Sequence, residues 1–376
     1  MSQPELAFNL PADFYQRYWQ REPLVIRAAM PDYVLPVSPD ELAGLACMPE
    51  LESRIVLGRG GDTPWEVRYG PFDETVFATL PDSHWTLLVQ AVDHWDPDIA
   101  ALKRLFPAIP DWRFDDVMLS YAADGGSVGP HVDRYDVFLL QGLGRRRWQL
   151  GGRPGEAAVL RDDTDWSVLA AFEPQAEYVL EPGDALYLPP GVAHWGIADG
   201  ECVTVSIGFR APAIGEVIDG YAAHVAARLS PAYRYRDPEL PGAGHPGEID
   251  PTIVQQLLEA VRAEFATAEF AAWFGEFATM PRYPAEPGEA NAEACVGMLA
   301  DATVVPRRDA RFAFVDAGDG LLLFANGERF PCPRSARGFI EALCEGRHAS
   351  AAEVAAQREL IIELLRLGCV DVEAPG

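Results

Sequence analysis

Gly129-Pro130-His131-Val132-Asp133 is the stretch on which the fold is decided. Successive side chains of a β-strand point to opposite faces, so residues two apart share a face. His131 and Asp133 therefore point together to one side of a strand while Val132 points to the other. One imidazole and one carboxylate are two thirds of the 2-His-1-carboxylate facial triad, which holds a metal on one face and leaves its other positions open. The triad needs a second histidine from a distant strand, and His194 is the candidate. Upstream of it run a turn signal, Glu181-Pro182-Gly183-Asp184, an apolar strand, Ala185-Leu186-Tyr187-Leu188, and a second turn, Pro189-Pro190-Gly191. His194 falls on the strand that follows. An isolated H-x-D arises often by chance; this surrounding order is what gives it meaning.

Working outward, the region from Trp112 to Phe209 reads as short strands broken by Gly and Pro turns. Val117-Met118-Leu119-Ser120-Tyr121, Val137-Phe138-Leu139-Leu140, Arg147-Trp148-Gln149-Leu150 and Val203-Thr204-Val205-Ser206-Ile207 are further examples. Strands at this spacing predict a jelly-roll barrel, a double-stranded β-helix. After a predicted turn at Gly142-Leu143-Gly144, alternation puts Arg146, Trp148 and Leu150 on one face and Arg145, Arg147 and Gln149 on the other. The first face reads as buried, and a buried guanidinium needs a carboxylate partner. The far carboxylate of 2-oxoglutarate would satisfy it. An internal Asp or Glu would too, and a strand facing solvent would need neither.

Before the barrel, residues 11 to 27 read as a short helix running into the strand Pro23-Leu24-Val25-Ile26. Ser38-Pro39-Asp40-Glu41 is a helix start with cap, first-turn proline and Glu three residues after the cap. Aromatic and aliphatic residues at mixed spacing from 80 to 106 predict a helix packed on a sheet, with His84 and His94 as ordinary structural histidines. Beyond the barrel the chain turns helical from Ala213. Asp250-Pro251 opens a helix whose apolar face is Val254, Leu257, Leu258, Val261 and Phe265. The loop 238–247 divides this region, and Pro281 to Glu289 reads as a linker. The C-terminal piece starts with a helix near Ala292. A hairpin around 312–315 and 321–324 follows, with turn signals at Asp319-Gly320 and Asn326-Gly327, and then helices near 335–345 and 350–367. That order resembles a winged helix.

A chain of 376 residues suits more than one domain. Its net charge of −27 repels phosphate backbones, so direct nucleic-acid binding is disfavoured; the acidity would attract a basic protein or peptide, or serves only to keep the chain in solution. The six cysteines form no C-x-x-C pair, which argues against a zinc finger or a thioredoxin-type site. The start of the chain lacks the pattern of a signal peptide, and no apolar run approaches membrane-spanning length. A cytoplasmic protein without membrane contact is expected.

These motifs resemble the JmjC-domain (cupin-type) oxygenases, specifically the bacterial ribosomal oxygenases. The resemblance rests on Asp115-Asp116-Val117-Met118, the run from Gly129 to Phe138, Gly144-Arg145-Arg146-Arg147-Trp148, Leu188-Pro189-Pro190-Gly191 and Ser206-Ile207-Gly208-Phe209-Arg210-Ala211-Pro212. It extends to Trp273-Phe274-Gly275-Glu276-Phe277 and Ala325-Asn326-Gly327-Glu328. It implies an α+β chain with a JmjC catalytic domain at 1–211, a helical dimerisation domain at 212–288 and a winged-helix-like domain at 289–376. Iron(II) would be held by His131, Asp133 and His194, and 2-oxoglutarate by Arg146 and Ser120, with O₂ as co-substrate. The members it most resembles hydroxylate the β-carbon of an arginine in large-subunit ribosomal protein sixteen. Others are histidine hydroxylases or demethylases with the same triad, and a non-catalytic metal-binding cupin is the reading from a different class. Trp195, following His194, departs from the residue some relatives carry and touches the pocket rim. The winged helix carries no basic stripe, so it reads as a structural or protein-contact module.

Overall fold

The computed structural model describes residues 6–58, 65–155, 158–236, 245, 247–265, 269–283, 303–349 and 351–373. The chain divides into two compact units, Met1–Ala211 and Pro212–Gly376.

The first unit is a single antiparallel ladder folded on itself. Its strands are β1 (Leu24–Ile26), β2 (Ser53–Leu57), β3 (Glu66–Tyr69), β4 (Trp85–Val89), β5 (Phe114–Ala122), β6 (His131–Val132), β7 (Asp136–Leu150), β8 (Ala176–Leu180), β9 (Ala185–Leu188) and β10 (Ala193–Phe209). They run in the order β1-β9-β7-β10-β5-β4-β2-β3, with β6 added to β10 and β8 to β7. The two long strands, β7 and β10, are paired along most of their length, and their register shifts between Asp199 and Thr204. On one side of that shift β7 pairs β9; on the other it pairs β8. The bend turns one ladder into the two walls of a jelly roll, which is the fold the strand spacing predicts.

Gly142-Leu143-Gly144 is not the expected turn: β7 continues through it. Gly144 sits at φ +61, and a Cβ there would fall 1.9 Å from the Glu201 carbonyl oxygen. A glycine lets the strand bend against its neighbour without leaving the ladder. The alternation beyond it survives: Arg146, Trp148 and Leu150 are buried, while Arg145 and Arg147 are exposed. A second correction concerns residues 80 to 106. Trp85–Val89 is the strand β4, and only Val92–His94 and Pro97–Leu105 are helical turns. Both faces of β4 are covered, so its apolar residues show no period of two, and Ala91 at φ +50 ends the run.

The main core lies between the ladder and the N-terminal segments, around Phe14, Phe106, Phe138, Tyr187 and Phe209. Ser38 and Glu41 form the expected capping box. Asp136, wholly buried, anchors the N-terminal segment. It accepts hydrogen bonds from the Tyr187 hydroxyl (2.7 Å), Gln20 Nε2 (3.0 Å) and Arg113 Nη2 (3.0 Å). A separate apolar layer of Val137, Leu139, Trp148, Leu150, Leu186 and Leu188 fills the barrel interior.

The second unit contains helices Ile214–Arg228, Pro251–Phe265 and Glu269–Thr279. A three-stranded sheet of β12 (Phe312–Asp316), β13 (Gly320–Ala325) and β14 (Glu328–Pro333) follows, with helices Arg337–Cys344, Ala351–Ala356 and Arg358–Arg366. Strand β11 (Thr303–Pro306) pairs β15 (Val370–Glu373). Asn326 (φ +47) and Gly327 (φ +87) make the tight turn the dipeptide predicts. The other turn puts its left-handed residue at Gly318 (φ +83) instead of Gly320. The helix expected at 350–367 is two helices that break at Gln357. Of the expected linker, residues 284–289 lie outside the described residues, as does the helix near Ala292 and most of the loop 238–247.

Candidate metal centre

Three side chains from two distant parts of the chain converge in the first unit. His131, Asp133 and His194 each offer one ligand atom, and those atoms lie within 4.8 Å of one another. Asp133 Oδ2 is 3.4 Å from His194 Nε2 and 3.8 Å from His131 Nε2, and the two imidazole rings are 4.2 Å apart. The pairing that brings them together is His194 opposite His131 across β10 and β6. The Pro-Pro-Gly turn adds a tie of its own: Gly191, at φ +87, donates its N–H to the Asp133 carbonyl at 2.8 Å.

The electrostatics suit a cation. His131 Nδ1 lies 2.9 Å from the Gly129 carbonyl, and His194 Nδ1 lies 3.0 Å from the Val192 carbonyl. A carbonyl only accepts, so each Nδ1 carries a proton, and the neutral form of each ring keeps its Nε2 lone pair on the side of Asp133. Such backbone contacts fix ring orientation and tautomer in metal sites. Burial holds the His194 pKa down to about 4, reinforced by the neighbouring His131 and opposed by Asp133. His194 is thus neutral at physiological pH, the state a ligand requires. Two imidazoles and a carboxylate, with backbone partners behind both rings, fit a divalent transition metal.

Arg146 lies on the same barrel face. Across the β7–β10 ladder, Leu150, Trp148 and Arg146 stand opposite His194, Gly196 and Ala198. Directly opposed residues share a face, so Arg146 is two positions beyond Trp148 from His194. Its Nη1 donates to Ser120 Oγ at 3.2 Å, and both side chains are buried. Its Nε and Nη2 are buried without a hydrogen-bond partner among the described residues. The sequence left open an internal acid or a solvent-facing strand. Arg146 is only 5% exposed, and no described carboxylate pairs with it. Two orphaned N–H groups beside a serine hydroxyl fit a carboxylate supplied from outside the chain. Trp148 spans the gap: its ring is 5.9 Å from the His194 ring and 5.7 Å from the Arg146 guanidinium carbon. Gly196 makes room for it, since a Cβ there would fall 2.6 Å from the Trp148 ring.

His84 and His94 stand apart from this cluster. His84 pairs with the Ser83 hydroxyl, and His94 lies 3.9 Å from Asp93. Sequence reasoning missed the residues that brace the His131 loop. Trp166 Nε1 donates to the Val128 carbonyl at 2.9 Å, and Leu169 N–H donates to the Pro130 carbonyl at 2.8 Å. Ser127 is hydrogen-bonded to three partners around the same loop. None has a local pattern that marks it; each acts through a partner tens of residues away.

Comparison with known proteins carries this geometry further. Residues 101–217 match the model of the JmjC domain, and residues 260–370 match that of the ROXA-like winged helix. The chain is 39% identical over 338 residues to the ribosomal protein uL16 3-hydroxylase of Escherichia coli, covering 88% of this chain and 87% of that protein. The chain belongs to the JmjC-domain ribosomal oxygenase family. Another ribosomal oxygenase relative, the probable ribosomal oxygenase of Haemophilus influenzae, is 38% identical over 61% of this chain and 55% of its own length. The X-ray structure of E. coli YcfD superposes with a TM-score of 0.87 at 36% identity, covering 98% of this chain and all of that one. A YcfD structure in complex with cobalt and 2-oxoglutarate superposes with a TM-score of 0.84 at 35% identity. The fold and winged-helix expectations read from the sequence are therefore met by this family.

Proposed function

We propose that this ribosomal oxygenase is an Fe(II)- and 2-oxoglutarate-dependent hydroxylase of ribosomal protein uL16, acting at the β-carbon of an arginine. The observation that carries this reading is the pairing of a His-Asp-His cluster with a buried, half-satisfied guanidinium on the same barrel face. In this reading His131, Asp133 and His194 hold the iron. Arg146 and Ser120 receive the far carboxylate of 2-oxoglutarate, filling the two empty hydrogen-bonding positions. Iron(II) with 2-oxoglutarate and O₂ supplies the oxidising power for inserting oxygen into a C–H bond, with succinate and CO₂ as co-products. The chain's own contribution is orientation and dryness. Backbone carbonyls at Gly129 and Val192 keep both histidine protons on Nδ1. The indole of Trp148 and the apolar layer around it exclude water between the metal residues and Arg146.

The charge supports a basic protein substrate over nucleic acid, and uL16 enters through the named E. coli relative. A cytoplasmic site of action follows from a ribosomal substrate; among the described residues no helix is long and apolar enough to cross a membrane. We further propose the division into catalytic (1–211), helical dimerisation (212–288) and winged-helix-like (289–376) parts, and a symmetric homodimer. Support for the dimer is the apolar face of Pro251–Phe265, where Val254, Leu257, Leu258 and Val261 are all exposed.

Succinate release from 2-oxoglutarate under Fe(II) tests the reading, with uL16 peptides and the His131→Ala variant as control. Peptide-stimulated turnover in the wild type alone, with one oxygen added to an arginine, is the expected result. A product lighter by a methylene would make the protein a demethylase. An oxygen on histidine would make it a histidine hydroxylase. Bound metal with no turnover on any peptide would make it a non-catalytic cupin.

A further inference from the structure

Ser127 is buried between the two segments that carry the histidine ligands, and every hydrogen-bonding position of its hydroxyl is used. It donates to the Gly196 carbonyl at 2.7 Å, on β10 two residues beyond His194. It accepts the Trp195 indole N–H at 2.8 Å and the Gly129 backbone N–H at 3.1 Å. A hydroxyl has one proton to give and two lone pairs, so this set saturates it. Gly129, held at φ +82, is the residue whose carbonyl takes the Nδ1 proton of His131 at 2.9 Å. An unbroken path thus runs from the residue after one histidine to the ring of the other.

The alternatives for fixing Gly129 are poor. Its left-handed backbone has no intrinsic preference for this conformation over others, since glycine is conformationally free. The strands offer no ladder bond there, because β6 is two residues long and begins at His131. Trp166 and Leu169 brace the loop through the Val128 and Pro130 carbonyls. Neither bond reaches across to β10. Backbone bonds join Gly125 and Gly126 to Ala198 on β10, and β6 pairs β10 from His131 onward; between those two ties, Ser127 is the described side chain that links Gly129 to the strand bearing His194. Trp195 is itself steadied by the edge of Phe172, ring centroids 6.1 Å apart.

We infer that Ser127 and Trp195 are positioning residues: together they clasp the His131 loop to β10 and so set the metal affinity of the site. This rests on the hydroxylase reading, in which His131 and His194 hold the metal, but assigns a task to residues outside the ligand set. It also gives the departure at Trp195 a purpose, since its indole carries a donor that reaches Ser127.

The test is a Co(II) titration of the full-length protein without 2-oxoglutarate, on wild type, Ser127→Ala and Trp195→Phe, with thermal melting of each metal-free protein alongside. Loss of a partner behind a metal ligand typically weakens metal binding by about 10- to 100-fold, the effect expected for Ser127→Ala. Trp195→Phe keeps the packing on Phe172 and removes one neutral hydrogen bond, so roughly a 5-fold loss is expected. At saturating metal the KM for 2-oxoglutarate should stay at the wild-type value, since Arg146 and Ser120 are untouched. A role confined to folding would lower the melting temperature and leave the Co(II) affinity of the folded protein unchanged. Should Ser127→Ala fail to fold, Trp195→Phe decides alone. Wild-type affinity in the folded variants overturns the inference. Absence of Co(II) binding by the wild type overturns the hydroxylase reading and the inference with it.

Discussion

Replacing Arg146 with methionine should stabilise the metal-free protein and cripple 2-oxoglutarate binding. Methionine keeps an unbranched stem against Trp148 while removing the charge. In the protein as described, Arg146 is 5% exposed and leaves Nε and Nη2 buried without partners. Each orphaned buried donor costs about 1–3 kcal/mol, and the lost bond to Ser120 is worth about 1.5–3 kcal/mol because it involves a charged group. The balance favours the variant by about 1–3 kcal/mol, on the same scale. For a chain of this size each kcal/mol moves the melting temperature by roughly 2–4 °C, so a rise of several degrees is expected. Binding moves the other way. Removing one partner of a buried charge pair costs about 3–5 kcal/mol, which is at least about a 100-fold loss of affinity. Differential scanning calorimetry of the metal-free protein gives the first number. Calorimetric titration of 2-oxoglutarate into the Co(II)-loaded protein, without O₂, gives the second. A variant that melts lower and binds 2-oxoglutarate normally would refute the reasoning: Arg146 would then be paid for by the fold and not by the co-substrate.

Gly196→Ala should destabilise the protein by about 1–3 kcal/mol, since the new Cβ would press within 2.6 Å of the Trp148 ring; thermal melting reports it, and the KM for 2-oxoglutarate should rise as the indole shifts. Asp93 gives a pH signature. Burial raises its pKa to about 7, against the lowering effect of the Val117 N–H that Oδ1 accepts at 2.8 Å. The folded protein therefore holds that proton over a range where the unfolded chain, at its ordinary value near 3.8, has lost it. Stability from this group is full below about pH 4 and falls by up to about 1.4 kcal/mol per pH unit as pH rises toward 7. Asp93→Asn keeps the acceptor and removes the titration, so its advantage over wild type in urea melts should grow between pH 4 and 7 and level off above. An advantage that does not change with pH would refute this. Finally, Leu257→Lys should convert the proposed dimer to a monomer by light scattering without lowering the melting temperature of the JmjC unit; an unchanged mass would remove the helix from the interface.

Much of the architecture was legible because burial imposes a period. The alternation in β7 exposed Arg146 as an inward residue, and Ser38 with Glu41 announced a helix start through local bonding alone. Where both faces of an element are covered, the period vanishes, and β4 was read as helix for that reason. The continuous course of β7 through Gly144 was hidden too. A glycine that turns a chain and a glycine that bends a strand look alike until the neighbouring carbonyl of Glu201 is placed.

The sequence by itself singled out the groups on which the proposed chemistry rests. A histidine and an aspartate two apart in extended chain share a face, although β6 itself ends at Val132, and the turn–strand–turn order before His194 predicts a second histidine on the same barrel. The shared face follows from strand geometry and needs no coordinates. Only the tertiary structure decided how the groups are held. It left the Arg146 guanidinium without an acid among the described residues, laid Trp148 across Gly196, and ran the Ser127 hydroxyl between Gly129, Trp195 and Gly196. Such contacts join residues whose separation in the chain carries no period. Their partners are chosen by packing, and packing exists only once the whole barrel has closed.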